Sequence, residues 1–287
     1  MWSMNLTVKF YDVEHGSCTH VITPNDKHFL YDIGTKSSKS ICKHLKAKYF
    51  QYGGRPDYLV ITHPHIDHIA DLQNLYTCGI TPRVLSLPTD AFPMHQVPGD
   101  TSAQIALKQK ANDMNSYYDA PISWEESPLN PDYNGGVTIT RFSPEVVGNE
   151  KNDTNNFSIV EVLEYGGFKI VLTGDNPSAK LQEMLKRSDF TRGVTQATIL
   201  LAPHHGRDSD FCKEFVEVVN PRLTVFSDKP IVHETQAHAA QKYYNVTRGT
   251  TWSGTPRRVF TTRNDGTITF IFKADGTWSI DTSTSEY

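Results

Sequence analysis

The chain has 287 residues, 38% of them hydrophobic and 21% charged. That composition excludes a disordered chain and suffices for a core without disulfide staples. Lys plus Arg number 28 against 32 Asp plus Glu, a formal charge of −4 that argues against a long track for duplex DNA.

No apolar run reaches the about 18 residues of a membrane span. The N-terminal MWSMNLTVKFYDVEHG lacks the charged-then-apolar layout of a signal peptide. Cys18, Cys42, Cys78 and Cys212 are scattered and form no CxxC pair. That pattern suits reduced thiols in a cytoplasmic protein and excludes a structural zinc finger.

In chain order, residues 5–13, 18–23 and 28–33 read as strands, the last two joined by a turn at Pro24-Asn25-Asp26. Residues 37–50 read as a helix capped by Ser37 or Ser38, with Ile41, Leu45 and Tyr49 at four-residue spacing. The nearly all-apolar run 57–62 suits a strand buried on both faces. HPHIDH follows it, and 69–77 looks helical. The stretch 88–136 carries six prolines and several aromatics and reads as an insertion, helical at 101–118 and loop on its flanks. Strands are predicted at 137–142, 157–164 and 168–174, the last two closed by Gly166-Gly167. A helix at 177–187, a strand at 196–202, a helix at 209–219, a strand at 222–227 and a helix at 235–245 follow. The tail reads as strands 258–263, 267–273 and 277–281, with turns at Asp265-Gly266 and Asp275-Gly276. Two β-rich halves with helices predict an α/β (α+β) fold, a four-layer αββα sandwich, in one domain spanning 1–287.

The chemistry gathers at strand ends. His63, His65, Asp67 and His68 follow the buried strand and offer the imidazole and carboxylate donors of a zinc-like ion. In extended backbone, residues two apart point the same way, so His63 and His65 can grip one ion, with Asp67 and His68 gripping a second. Composition alone gives such a string in about one chain in a thousand. Asp175, in IVLTGDN, ends another apolar strand and can bridge two ions; the plainer alternative is a helix cap. His204 and His205, in ILLAPHHG, end a third, and either can bind metal or stabilise an oxyanion. His233 is a weaker candidate ligand. Asp32, in FLYDIGT, suits orienting a histidine ligand. Asp12 and His15 suit the rim. His20, His28, His44, His95 and His238 show no pattern, and surface exposure is their default.

These residues resemble the metallo-β-lactamase superfamily, in its HxHxDH motif and its bridging aspartate. The stretches FYDVEHGSC, FLYDIGT, VITHPHIDHI, NNFSIVEVLEYGGFKIVLTGD, APHHG and RNDGTITF resemble most the hydrolase domain of ComEC-type competence proteins for DNA uptake and its stand-alone relatives. The resemblance implies a metallo-β-lactamase fold with two divalent ions, zinc first, manganese or magnesium as alternatives. It implies His63 and His65 on the first ion, Asp67 and His68 on the second, Asp175 between them, and His233 as the final ligand histidine. His204 or His205 would stand by the scissile group. One departure matters: the superfamily's third histidine for the first ion is missing from NEKNDTNNFSI, where Asp153, Asn155, Asn156 or water would fill the place.

The implied function is a metal-dependent phosphodiesterase acting on nucleotides, cyclic nucleotides or single-stranded nucleic acid. In it Asp67 orients the nucleophile, and His204 or His205 stabilises charge or protonates the leaving oxygen. The rivals are a hydrolase of lactone, thioester, amide or β-lactam bonds, and a non-catalytic metal-binding module. Arg207 is placed to meet a phosphate. Lys36, Lys39, Lys43, Lys46 and Lys48 could track a backbone but suit a solvated helix face. Phe92, Tyr117, Tyr118, Trp124 and Tyr133 could stack a base, with core packing the plainer expectation.

Overall fold

The computed structural model describes residues 4–36, 38–94, 100–229 and 234–287. Among them, one sheet holds seven strands in the order β15-β14-β1-β2-β3-β4-β5: β1 (Asn5–Phe10), β2 (Thr19–Ile22), β3 (His28–Tyr31), β4 (Tyr58–Val60), β5 (Val84–Ser86), β14 (Thr267–Lys273) and β15 (Trp278–Ser283). A second holds six in the order β13-β10-β9-β8-β7-β6: β6 (Thr138–Phe142), β7 (Val160–Tyr165), β8 (Phe168–Leu172), β9 (Ile199–Leu201), β10 (Leu223–Phe226) and β13 (Val259–Thr261). A separate hairpin joins β11 (Thr250–Trp252) to β12 (Thr255–Arg257).

Side-chain alternation along these strands builds the layers. Phe29, Tyr31, Tyr58 and Val60 face Ile170, Ile199, Leu201 and Val225 of the other sheet in a central core. Their neighbours Leu30, Leu59 and Ile61 face outward onto Ile41 and Leu45 of α1 (Ile41–Lys48), Ile69 of α2 (Ile66–Ile69), Leu72 and Leu75 of α3 (Leu72–Thr77), and Ala111 and Met114 of α4 (Ser102–Ser116). On the far side, Val171 and Leu200 pack on Leu181 of α6 (Ser178–Met184), Phe190 of α7 (Ser188–Val194) and Phe215 of α8 (Lys213–Val219). The result is helix, sheet, sheet, helix, the α/β arrangement predicted.

Several boundaries differ from expectation. The first helix is capped by Ser40, whose side chain accepts from Lys43 N, and not by Ser37 or Ser38. The predicted helix 69–77 is two pieces, because Asp71 sits between them: its carboxylate accepts from Cys42 N at 2.6 Å and from Ser40 Oγ at 2.7 Å. The tail hairpin at Asp265-Gly266 does not form. β13 pairs parallel with β10 in the second sheet, the turn α10 (Thr262–Asp265) follows, and β14 crosses to pair with β1 in the first. Phe260 and Phe270 thereby enter the central core from opposite sheets. Asp275-Gly276 does close a hairpin, β14 to β15. In the insertion, α4 carries a capping box between Thr101 and Gln104. Tyr117 and Trp124 are exposed, contrary to core packing, while Tyr133 is anchored to Asp57 Oδ1 at 2.8 Å. Nor is His20 a surface residue: it is fully buried, its Nε2 2.9 Å from His28 Nδ1.

One buried cluster ties the sheets together. Glu161 of β7 accepts from Tyr31 and Tyr58 of the first sheet at 2.8 and 3.0 Å, and from Arg141 Nε at 2.9 Å.

Candidate metal centre

The strands β3, β4 and β5 run parallel, as do β8, β9, β10 and β13, so their C-terminal ends gather at one edge. From these ends come Asp32, the His63–His68 run, Asp175, His204 and His205. Asp67 lies at the start of α2, where its backbone carbonyl accepts from Ser17 N at 3.2 Å. Gly16, with φ +146°, passes so close to that carbonyl that a Cβ would stand 2.5 Å from it. His204 and His205 occupy left-handed backbone, φ 50° and 55°. Gly206 continues that turn at φ +74°, and a side chain there would run into the Phe226 ring. Strain of this kind persists only where the surroundings enforce it.

Ligand-type atoms of Asp67, His68, Asp175 and His205 all lie within 4.8 Å of one another. His68 Nε2 is 3.2 Å from Asp175 Oδ1 and 3.2 Å from His205 Nε2. His205 Nε2 is 3.3 Å from both Asp67 Oδ2 and Asp175 Oδ2. Beside them, His63 Nε2 lies 3.0 Å from His65 Nδ1 and 3.8 Å from Asp175 Oδ2. Asp175 thus faces both groups. His204 Nε2 is 3.7 Å from Asp175 Oδ2, and His15 Nε2 is 3.4 Å from Asp67 Oδ2. Asp12 is held off by Lys36 at 2.7 Å, and Arg207 is exposed beside the histidine pair. His233 and His95 lie outside the described residues.

The outer contacts decide what the inner atoms offer. His68 Nδ1 is 2.7 Å from Asp32 Oδ2, His205 Nδ1 is 2.8 Å from the Ser227 carbonyl, and His204 Nδ1 is 2.8 Å from Asp210 Oδ2. Carboxylates and carbonyls only accept, so His68 and His205 each carry a proton on Nδ1 and turn Nε2 inward. Thr62 Oγ1 donates to Asp32 at 2.9 Å, which leaves it to accept from His63 Nδ1 at 3.2 Å and frees His63 Nε2 as well. Thr154 Oγ1 is 2.6 Å from His65 Nε2. Lone pairs and carboxylates facing one another this closely demand a cation, and a set of imidazole nitrogens with aspartate oxygens fits divalent metal.

The electrostatics agree. Burial works against charge on His205, yet Asp175 and Asp67 outweigh it and hold this imidazole up at about 10. Burial likewise opposes charge on His68, but Asp175 and Asp32 push it well above its ordinary value. Burial would raise Asp175 and Asp67; the facing His205 and His68 hold both well down. His63 is different: burial, reinforced by His68, keeps it neutral far below its usual range. Burial also lowers His65.

The metallo-beta-lactamase superfamily profile matches residues 12–206. This chain belongs to that superfamily. The fold of that superfamily implies divalent metal ions. The uncharacterized protein YcaI of Escherichia coli K12 is 28% identical over 155 residues, half of this chain and 20% of YcaI, so the chain spans about a fifth of that relative. Unliganded yeast PDE1 is 11% identical with a TM-score of 0.48, covering 89% of this chain and 97% of its own. A candidate Zn-dependent hydrolase of the superfamily from Thermotoga maritima is 12% identical with a TM-score of 0.41, covering 88% and 97%. Among the described residues, no helix is long and apolar enough to cross a membrane.

Four residues at the centre carry no motif in the sequence. Thr154 and Ser227 touch a histidine from a distant segment, and Asp210 touches His204 from six residues on. From the insertion, buried Lys108 pairs with Asp100 at 2.7 Å, and its charge adds to the lowering of His65. A cavity of about 790 Å³ by Arg55, Tyr76, Tyr118 and Ile122, under the same insertion, contains none of the metal-centre residues.

Proposed function

We propose that the protein is a two-ion phosphodiesterase of the ComEC-like branch, acting on nucleotides or single-stranded nucleic acid. The single observation that carries this reading is Asp175, whose Oδ1 faces His68 at 3.2 Å and whose Oδ2 lies between His205 at 3.3 Å and His63 at 3.8 Å. His63 and His65 would hold the first ion, Asp67, His68 and His205 the second, and Asp175 would stand between. This reading gives the role of final ligand histidine to His205 in preference to His233, because His205 Nε2 lies within 3.3 Å of both aspartates.

Bound divalent ions would polarise the scissile bond and bring the pKa of a water toward about 7. The chain's own groups do the rest. Asp67 Oδ2, held by His205 and neighboured by His15, orients the attacking oxygen. His204 Nδ1 lies beside Asp210, itself lowered by that imidazole against the effect of burial, and Nε2 faces the site, where the imidazolium form can pass a proton to the leaving oxygen. Arg207, exposed beside this pair, is the cation for a phosphate. Cleavage of lactone or amide bonds would not need it. We read residues 1–287 as one domain, with 88–136 as an insertion upon it.

Hydrolysis of bis(p-nitrophenyl) phosphate by purified protein, titrated with Zn, Mn and Mg, tests the reading. Metal-dependent turnover is expected, with His65→Ala folded and at background rate. A folded, metal-loaded protein that leaves the diester intact would overturn it.

A further inference from the structure

We infer that Asn155 Oδ1 is the third protein donor to the first ion, standing where the superfamily's third histidine is missing; the inference rests on the two-ion reading above. The first group is short of donors. His63 Nε2 and His65 Nδ1 are 3.0 Å apart, a spacing that suits two ligands on one ion, and the next imidazole, His68, packs on His63 but turns its Nε2 to Asp175 and His205. The segment that abuts them is the turn Thr154–Phe157, since Thr154 Oγ1 touches the outer nitrogen of His65 at 2.6 Å.

Three side chains at this turn could supply an oxygen, and two of them, Asp153 and Asn156, are not buried. Asp153 Oδ1 caps the turn, accepting from Asn155 N at 3.0 Å. The Asn156 amide is drawn the other way, donating to the Glu150 carbonyl at 2.7 Å. Asn155 alone of the three combines burial with a vacant acceptor: the residue is 8% exposed, and its Oδ1 has no hydrogen-bond partner. A buried amide oxygen left bare is unfavourable, and a cation would relieve it. The turn's own main chain holds the residue, with Ser158 N donating to the Asn155 carbonyl at 3.0 Å. Ser158 in turn bonds Asp175 N at 3.1 Å, so the turn is fastened to the bridging carboxylate. An amide oxygen is a neutral, hard donor. It makes the first site weaker for zinc than three imidazoles would, and more accepting of manganese.

The test counts ions and needs no turnover. Chelator-stripped protein is titrated with Mn²⁺ and Zn²⁺ by calorimetry, with bound metal counted after dialysis and folding checked by thermal melting. Wild type is expected to bind two ions per chain. Asn155→Ala should weaken the first site about ten-fold or more and leave the second unchanged. Asn155→Asp, which keeps the oxygen and adds charge, should tighten Mn²⁺ there, and Asn155→His should shift the site toward Zn²⁺. Two ions bound with wild-type affinities by all three variants would overturn the assignment alone. A single ion in wild type would overturn the two-ion reading with it. If Asn155→Ala does not fold, unchanged metal preference in Asn155→Asp and Asn155→His is the overturning result.

Discussion

The two halves of the metal centre are built to different standards. Around His68 and His205, four donors converge within 4.8 Å. Each of these imidazoles is pinned from behind by a group that can only accept, Asp32 or the Ser227 carbonyl. Around His63 and His65, two imidazoles face each other, and their outer partners are the hydroxyls of Thr62 and Thr154. A carboxylate or carbonyl dictates a tautomer, whereas a hydroxyl adapts to either. The second half is therefore a preorganised, charge-rich site, and the first is neutral and permissive. On the two-ion reading proposed above, that difference would let the second half set affinity and the first set which metal is preferred.

The comparison can be broken at its shared member. Asp175→Ala should empty both halves and lower turnover about 10³-fold or more, since the carboxylate facing both groups is gone. Metal analysis showing one ion retained would mean that the halves are independent. A narrower cut is Asp32→Asn, which replaces the carboxylate behind His68 with a neutral amide. It should weaken the second site about 10–100-fold and the first, which Asp32 reaches only through Thr62, by less, read as unequal changes in the two calorimetric binding steps. Equal weakening of both would erase the distinction.

The smallest effect is on stability. In metal-free protein the folded pKa of His205, about 10, exceeds its ordinary 6.5. Its contribution is complete below pH 6.5 and is lost as pH rises toward 10. Asp67 and Asp175 are shifted the other way, so their contribution is present above pH 3.8 and fades in acid. Metal-free protein should accordingly lose denaturant resistance between pH 6.5 and 10. The loaded protein should not, because the ions displace those protons. Parallel losses with and without metal would contradict the charge-rich description of the second half.

Much of this centre was legible because its donors sit where apolar strands stop. HPHIDH, Asp175 and the histidine pair each follow a run of buried residues, and polar groups at that boundary stand out. The pair itself could not be resolved from sequence: His204 and His205 share one left-handed turn, and only backbone geometry shows that His205 enters the cluster while His204 leans on Asp210. Thr154 and Ser227 were illegible for another reason. Their meaning is a contact made 89 and 22 residues away, and nothing local marks them. The layers were legible from alternation, but the route of the tail was not, since a strand's pattern shows that it is buried and not which sheet buries it. Glu161 shows the limit most plainly: a lone acid in an apolar run, it is the hub where Tyr31, Tyr58 and Arg141 meet between the sheets.

The tail's crossing also bears on how the chain is made. β1 pairs Asn5 with Lys273 and Phe10 with Ile268. During synthesis β1 finds β2 and β3 within some twenty residues, at the about 5–20 residues per second of translation. Its other edge waits for nearly the whole remaining chain. Through that interval an unpaired strand edge flanked by Leu6, Val8 and Phe10 stands open, the kind of surface that nascent-chain chaperones cover. Closure of the first sheet is thus a late event of high sequence separation, and the rate at which the protein acquires its native state should be governed by that final strand.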